Sequence, residues 1–219
     1  MRVVIQCAGD KRSWAGRMKT DDGRSLRFVA HPEEVAAEAG LAYARPDDVS
    51  ENGETWRERV RAYNANPEGN PLELLPAYRL YSNRVYRDLA SHIGTDRLFI
   101  LSAGWGLIRA EFLTPSYDIT FRPDGMPGSW RTSTDSFDDW SMVDGESSEP
   151  LVFLGGESYF PFFGKLTDHC RCKRVAYHRL KDPPRWDGVE VRRYETKTRT
   201  NWYYGAVKAL IEGSWAPLD

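Results

Sequence analysis

The sequence predicts a single α/β domain in which a mostly parallel central sheet carries helices on both faces. Three observations predict it. Short apolar runs stand at Arg2–Cys7, Arg97–Ala103 and Leu151–Leu154. Segments with apolar residues at helical spacing alternate with them, as the crossovers between parallel strands require. The second and third runs are apolar at successive positions, the pattern of strands covered on both faces.

Each element follows in chain order. Arg2–Cys7 reads as the first strand and breaks at the polar turn Ala8-Gly9-Asp10-Lys11-Arg12. Ser13–Leu26 is charged and without period, so it reads as loop. Pro32–Ala39 is a short helix candidate, and Glu54–Tyr63 sets Trp56, Val60 and Tyr63 at helical spacing before the breaker Asn64–Asn70. Ala77–Ile93 is the strongest helix, with Tyr78, Tyr81, Val85, Leu89 and Ile93 on one face and Gly94 to close it. Arg174–His178 and Val189–Tyr194 are weaker strands, and Asn201–Ile211 is a C-terminal helix. Pro115–Glu149 is a long polar stretch of the kind that is usually functional or mobile.

At 219 residues the chain suits one sizeable core, and no internal boundary or repeat divides residues 1–219. Hydrophobic residues at 41% and charged residues at 28% exclude a mostly disordered chain. No apolar run approaches the roughly 20 residues that span a bilayer. The polar turn after Ile5 argues against a signal peptide, and the three cysteines (Cys7, Cys170 and Cys172) suit a reducing compartment, so the expectation is a cytoplasmic protein without a membrane partner. Cys170-Arg171-Cys172 leaves one residue between its thiols, against the two to four usual for zinc, so neither a metal site nor a cofactor is expected.

The net charge of −2 hides an asymmetry. Residues 123–149 form an acidic insert, with six acids and no base between Asp135 and Glu149. Residues 165–199 form a basic segment with eleven bases against five acids and with Tyr177, Trp186 and Tyr194 interleaved; Trp202 follows it. Such a segment, with Arg192, Arg193 and Arg199, suits a polyanion whose bases stack on rings, or else a solvated face.

Ligands of open parallel sheets bind beyond the carboxyl ends of the strands. Three runs end there in glycine: Cys7-Ala8-Gly9-Asp10-Lys11, Ser102-Ala103-Gly104-Trp105-Gly106 and Gly155-Gly156-Glu157-Ser158-Tyr159. Glycine lets backbone N–H groups approach a phosphate or a sugar edge, so Gly104, Gly155 and Gly156 are binding candidates in one shared cleft. Asp118, Asp10 and Glu157 are the candidate catalytic carboxylates; as alternatives, Asp118 caps a turn before Thr120, Asp10 is a turn residue and Glu157 caps a helix. Lys11, Ser102 and Tyr117 are donors. Cys7 reads as a small buried hydrophobe rather than a nucleophile. Trp105, Tyr159 and Trp202 offer stacking rings, and Asn201 offers an amide for a base edge.

The order Cys7…Lys11, Tyr81-Ser82…Tyr86, then Phe99 through Ile108 with Ser102-Ala103-Gly104-Trp105-Gly106-Leu107, then Pro115…Tyr117-Asp118 and Val152-Phe153-Leu154-Gly155-Gly156…Tyr159 resembles the YaaA-like family. The resemblance runs from Met1 to about Tyr159 and is most specific in Ser102–Asp118. It implies DNA-linked function, since relatives are associated with DNA protection, nucleobase modification and anti-phage DNA glycosylases. The chain departs from it in the insert around Ser129–Glu149 and in the basic, Trp-rich C-terminus, both of which would reshape a base pocket. The function expected is a glycosylase that removes a modified pyrimidine, such as a glucosylated hydroxymethyl base, from phage DNA as antiviral defence. The alternatives are a DNA-binding protein without turnover and an N-ribosyl hydrolase or transferase of free nucleotides.

Overall fold

The computed structural model describes residues 1–132, 134–180 and 186–219. The strands are β1 (Arg2–Gln6), β2 (Ser25–Phe28), β3 (Leu41–Ala44), β4 (Leu75–Pro76), β5 (Leu98–Ser102), β6 (Gly106–Arg109), β7 (Leu113–Thr114), β8 (Trp140–Ser141), β9 (Leu151–Leu154), β10 (Arg174–His178) and β11 (Glu190–Arg193). The helices are α1 (Trp56–Ala65), α2 (Ala77–Leu80), α3 (Val85–Ile93), α4 (Phe160–Leu166) and α5 (Trp202–Ile211). Among the described residues no helix is long and apolar enough to cross a membrane.

Seven strands form the main sheet in the order β11-β10-β9-β1-β5-β6-β8. From β11 to β5 every pairing is parallel; β6 turns back antiparallel to β5, and β8 runs parallel to β6. The five parallel strands follow the doubly wound order 2-1-3-4-5, whose switch point lies where the chain leaves β1 for β5 on one side and returns to β9 on the other. Right-handed crossovers running in opposite directions from that point put helices on both faces. Thus α3 touches β5 and packs on α5, while α4, in the crossover between β9 and β10, touches β6.

Burial explains why the central strands are apolar throughout. Val3, Val4, Ile5, Leu98, Ile100, Leu101 and all of β9 are fully enclosed, and Ile5 stands between Ile100 and Leu154 in register. Each such side chain contributes roughly 1.5–3 kcal/mol by leaving water. Four sequence expectations need correction. Ser13–Leu26 is not wholly loop: Ser25 and Leu26 open β2, which pairs with β3 in a separate two-stranded sheet. Pro32–Ala39 makes only a 3-10 turn over Pro32–Glu34. The long helix expected over Ala77–Ile93 is two helices, because extended Tyr81 stops α2 and Asn83 Oδ1 then accepts the N–H of Val85 at 3.0 Å to open α3. The polar stretch from Pro115 is not free of structure either, since Trp140 and Ser141 add the edge strand β8.

Candidate active site

The switch point carries two adjoining recesses beyond the carboxyl ends of β1 and β9. The first is a cup of about 280 Å³ built from Gln6–Asp10, Asn83, Tyr159, Asn201, Tyr203 and Tyr204, with Thr120 and Arg122 on its rim. The second, about 240 Å³, is lined by Lys11, Arg27, Asp118 and Ser129 among others. Gly9 and Thr120 line both, so the recesses form one continuous groove.

The cup is polar because of what β1 delivers to it. Gln6 is the polar residue at the carboxyl end of the strand, after the apolar Val3-Val4-Ile5. Its Oε1 accepts the Gly156 N–H, and its Nε2 donates to the Tyr203 hydroxyl at 2.9 Å. Tyr203 donates in turn to Asn201 Oδ1 at 3.2 Å, and Tyr86 donates to the Gln6 carbonyl at 2.8 Å. Cys7, 3% exposed, lies 3.1 Å from the Tyr159 hydroxyl. Burial chiefly pushes the phenols of Tyr81, Tyr86, Tyr117 and Tyr159 well above their ordinary value, so these hydroxyls stay protonated.

In the second recess Arg27 Nε holds Asp118 Oδ2 at 2.6 Å, and the Asp118 backbone N–H is fixed on the Phe28 carbonyl at 2.7 Å. Asp118 Oδ1 makes no hydrogen bond among the described residues. Lys11 sets its ammonium 4.0 Å above the Tyr117 ring. Burial lowers the Lys11 pKa, against the opposing pull of Cys7, Asp118 and Asp10. The site therefore presents an oriented carboxylate, a cation and a ring of neutral hydroxyls and amides. That set suits a neutral heterocycle with an anionic or electron-rich neighbour.

The residues expected to act divide into those that reach the groove and those that do not. Cys7, Lys11, Asp10, Asp118, Tyr159 and Asn201 line it. Ser102 and Tyr117 do not: both are fully buried, with Ser102 Oγ donating to the Tyr117 hydroxyl at 2.8 Å and accepting the Trp105 N–H at 3.1 Å. Trp105 is no stacking platform for a ligand, because its ring is fully enclosed, stacked at 5.8 Å on Trp140 and met edge-on by Phe28. Gly104 does not cradle a phosphate; its N–H turns to Ser102, and a Cβ there would press on the Tyr117 ring at 3.1 Å. A Cβ at Gly155 would collide with the Phe153 ring, and the Gly156 N–H is spent on Gln6, so these two glycines serve packing and positioning. Trp202 is likewise buried, stacked on Tyr194 at 5.5 Å.

Glu157 stands apart from both recesses. Its Oε1 lies 3.8 Å from Arg179 and has no hydrogen-bond partner among the described residues, nor do the two buried ring nitrogens of nearby His178. Six bases of the basic segment are ion-paired. Arg171, Lys173, Arg174, Arg179, Arg192 and Arg193 pair with Glu146, Glu190, Asp168, Glu157, Glu190 and Glu195 respectively, and Arg192 also donates to the carbonyls of Pro217 and Asp219. Arg199 is exposed. Lys181, Asp182 and Arg185 lie outside the described residues. Among the described residues no group of three or more His, Cys, Asp or Glu side chains is placed to hold a metal ion.

Sequence reasoning missed Gln6, Arg27, Asn83, Tyr203 and Tyr204. A lone amide in an apolar strand just before its carboxyl end is a readable signal for Gln6, and the run Asn201-Trp202-Tyr203-Tyr204 is one for the tyrosines. Arg27 has none, since its partner is 91 positions away. No protein-family model matches the chain, and no curated protein or solved structure is significantly similar to it.

Proposed function

We propose that the protein hydrolyses the N-glycosidic bond of a modified base in DNA, with the base in the cup and the sugar over Gly9 and Thr120. One observation carries the reading: an amide- and tyrosine-lined cup opens directly into a recess where Asp118 is held with one oxygen free. Breaking the bond between C1′ and the base nitrogen leaves the electron pair on the base and an oxocarbenium-like charge on the sugar. Asp118 stabilises that charge and takes a proton from the attacking water, whose oxygen bonds to C1′. The departing base gains a proton, and neutral hydroxyls in the cup share its developing negative charge. Lys11 faces the neighbouring phosphate. The likeness to the YaaA-like family supports DNA as the polymer and phage defence as the setting.

A second reading, hydrolysis of a free nucleotide, draws support from the ion pairs that Lys173, Arg192 and Arg193 of the basic segment make with Glu190 and Glu195, since a base already paired contributes less to phosphate binding. One assay separates them. The protein is incubated with unmodified DNA, with hypermodified phage DNA and with free nucleotides, and abasic sites and released base are counted. Base released from DNA alone upholds the proposal, release from nucleotides alone upholds the second reading, and no release from any substrate overturns both.

A further inference from the structure

The cup's hydrogen-bonding polarity is fixed from inside the protein. A backbone N–H can only donate, so the Gly156 N–H fixes the Gln6 oxygen as acceptor and leaves the Gln6 NH₂ to donate to Tyr203. Tyr203 in turn donates its own proton to Asn201 Oδ1. Burial pushes the Tyr203 phenol far up, so that proton is kept. With Oδ1 taken by Tyr203, the NH₂ of Asn201, a residue that lines the cup, is left without a partner among the described residues. Asn201 is held there at φ 54°, a left-handed conformation that asparagine tolerates better than most residues, and it makes no capping bond to α5. Asn83 is locked in the same sense by an independent contact: the Val85 N–H can only donate, so Asn83 Oδ1 faces it and its NH₂ remains. Both amides on the cup wall therefore offer donors.

We infer that the cup selects an oxo-base over its amino counterpart, with Asn201 and Asn83 as the residues that set this selectivity. The inference rests on reading the cup as a base pocket. A carbonyl oxygen of the base accepts from these NH₂ groups, whereas an exocyclic amine at the same place meets donor with donor. A polar group left unpaired in this way costs a factor of about ten or more in affinity.

The test is calorimetric titration of the intact protein with deoxyuridine, deoxycytidine, deoxyinosine, deoxyadenosine and inorganic phosphate. Deoxyuridine should bind about tenfold tighter than deoxycytidine, and deoxyinosine about tenfold tighter than deoxyadenosine. Asn201→Asp keeps the oxygen that accepts the Tyr203 hydroxyl but turns the other atom into an acceptor, so the order within each pair should reverse. Asn83→Asp, which keeps the bond to Val85, should weaken the preference in the same direction. Equal or inverted affinities in the native chain, an unchanged order in Asn201→Asp, failure of every nucleoside to bind, or phosphate displacing the nucleosides from the cup would each overturn the inference. Because binding alone is read, a chain that prefers the oxo-bases yet releases no base upholds the inference and overturns the proposed hydrolysis.

Discussion

The turn after β5 and the loop after β1 leave neighbouring parallel strands at the same end of the sheet, and they have opposite fates. Ala103-Gly104-Trp105 is closed by the protein's own groups. Arg131 donates to the Ala103 carbonyl at 2.7 Å, and Arg57 donates to the carbonyls of Gly104 and Trp105 at 3.1 and 3.2 Å. Both guanidiniums are buried and held by carboxylates, Arg131 by Asp139 and Arg57 by Asp47. Ala8-Gly9-Asp10-Lys11 is held more lightly: the Asp10 carbonyl accepts from the Ser82 N–H at 3.2 Å and the Gly9 carbonyl from Lys11 Nζ at 3.4 Å, and no buried guanidinium reaches it among the described residues. Gly9 and Asp10 are exposed at the groove, and no protein acceptor takes the N–H of Ala8, Gly9 or Asp10 among the described residues. Glycine after a strand thus marks a scaffold in one place and a site in the other, and the neighbours' donors decide which.

Breaking the closed turn should have the largest effect. Arg131→Met leaves the buried Asp139 carboxylate unpaired, and Asp139 is already pushed up by burial against the pull of Arg131, so a loss of about 3–5 kcal/mol in denaturant unfolding is expected. Trp105→Ala should cost a similar roughly 3–5 kcal/mol by opening a cavity against Trp140 and Phe28. Ser102→Ala strands the N–H groups of Gly104 and Trp105 in the core and leaves the Tyr117 hydroxyl with Tyr81, for about 1–3 kcal/mol.

Smaller effects, outside both the closed turn and the groove, sharpen the contrast. Burial chiefly lowers the His178 pKa below its ordinary 6.5, with Glu157 opposing and Arg193 assisting. The unfolded chain then binds more protons than the folded one as pH falls from 6.5 toward the folded pKa, so stability should decline through that window. His178→Phe should flatten the decline, as followed by melting temperature against pH. Arg193→Ala should change unfolding least, since its pair with Glu195 is exposed and such pairs contribute about 0–1 kcal/mol.

Much of the frame was legible because burial on both faces writes itself as unbroken apolar runs: β5 and β9 were readable from Leu98–Leu101 and Leu151–Leu154 alone. The strands that escaped, β2, β3, β4, β6, β7 and β8, are two to four residues long, too short for an apolar period to show, and pairing with other strands holds them. In the site, strand-end position identified Cys7, Lys11 and Asp118. It also promoted Ser102, Gly104 and Trp105 wrongly to ligand contacts. Their burial depends on Arg57, Arg131 and Trp140, which the chain brings from positions as far as 48 residues away in the case of Arg57 and Trp105.

The central claim is that the open groove, and not the closed turn, performs the chemistry. Its most direct test is base release by mass spectrometry from hypermodified DNA, comparing the native protein with Asp118→Asn at matched melting temperature. The account predicts free base from the native protein and a loss on the order of a hundredfold or more in Asp118→Asn, as removal of a group that stabilises transition-state charge entails. Equal release from the two proteins would contradict it.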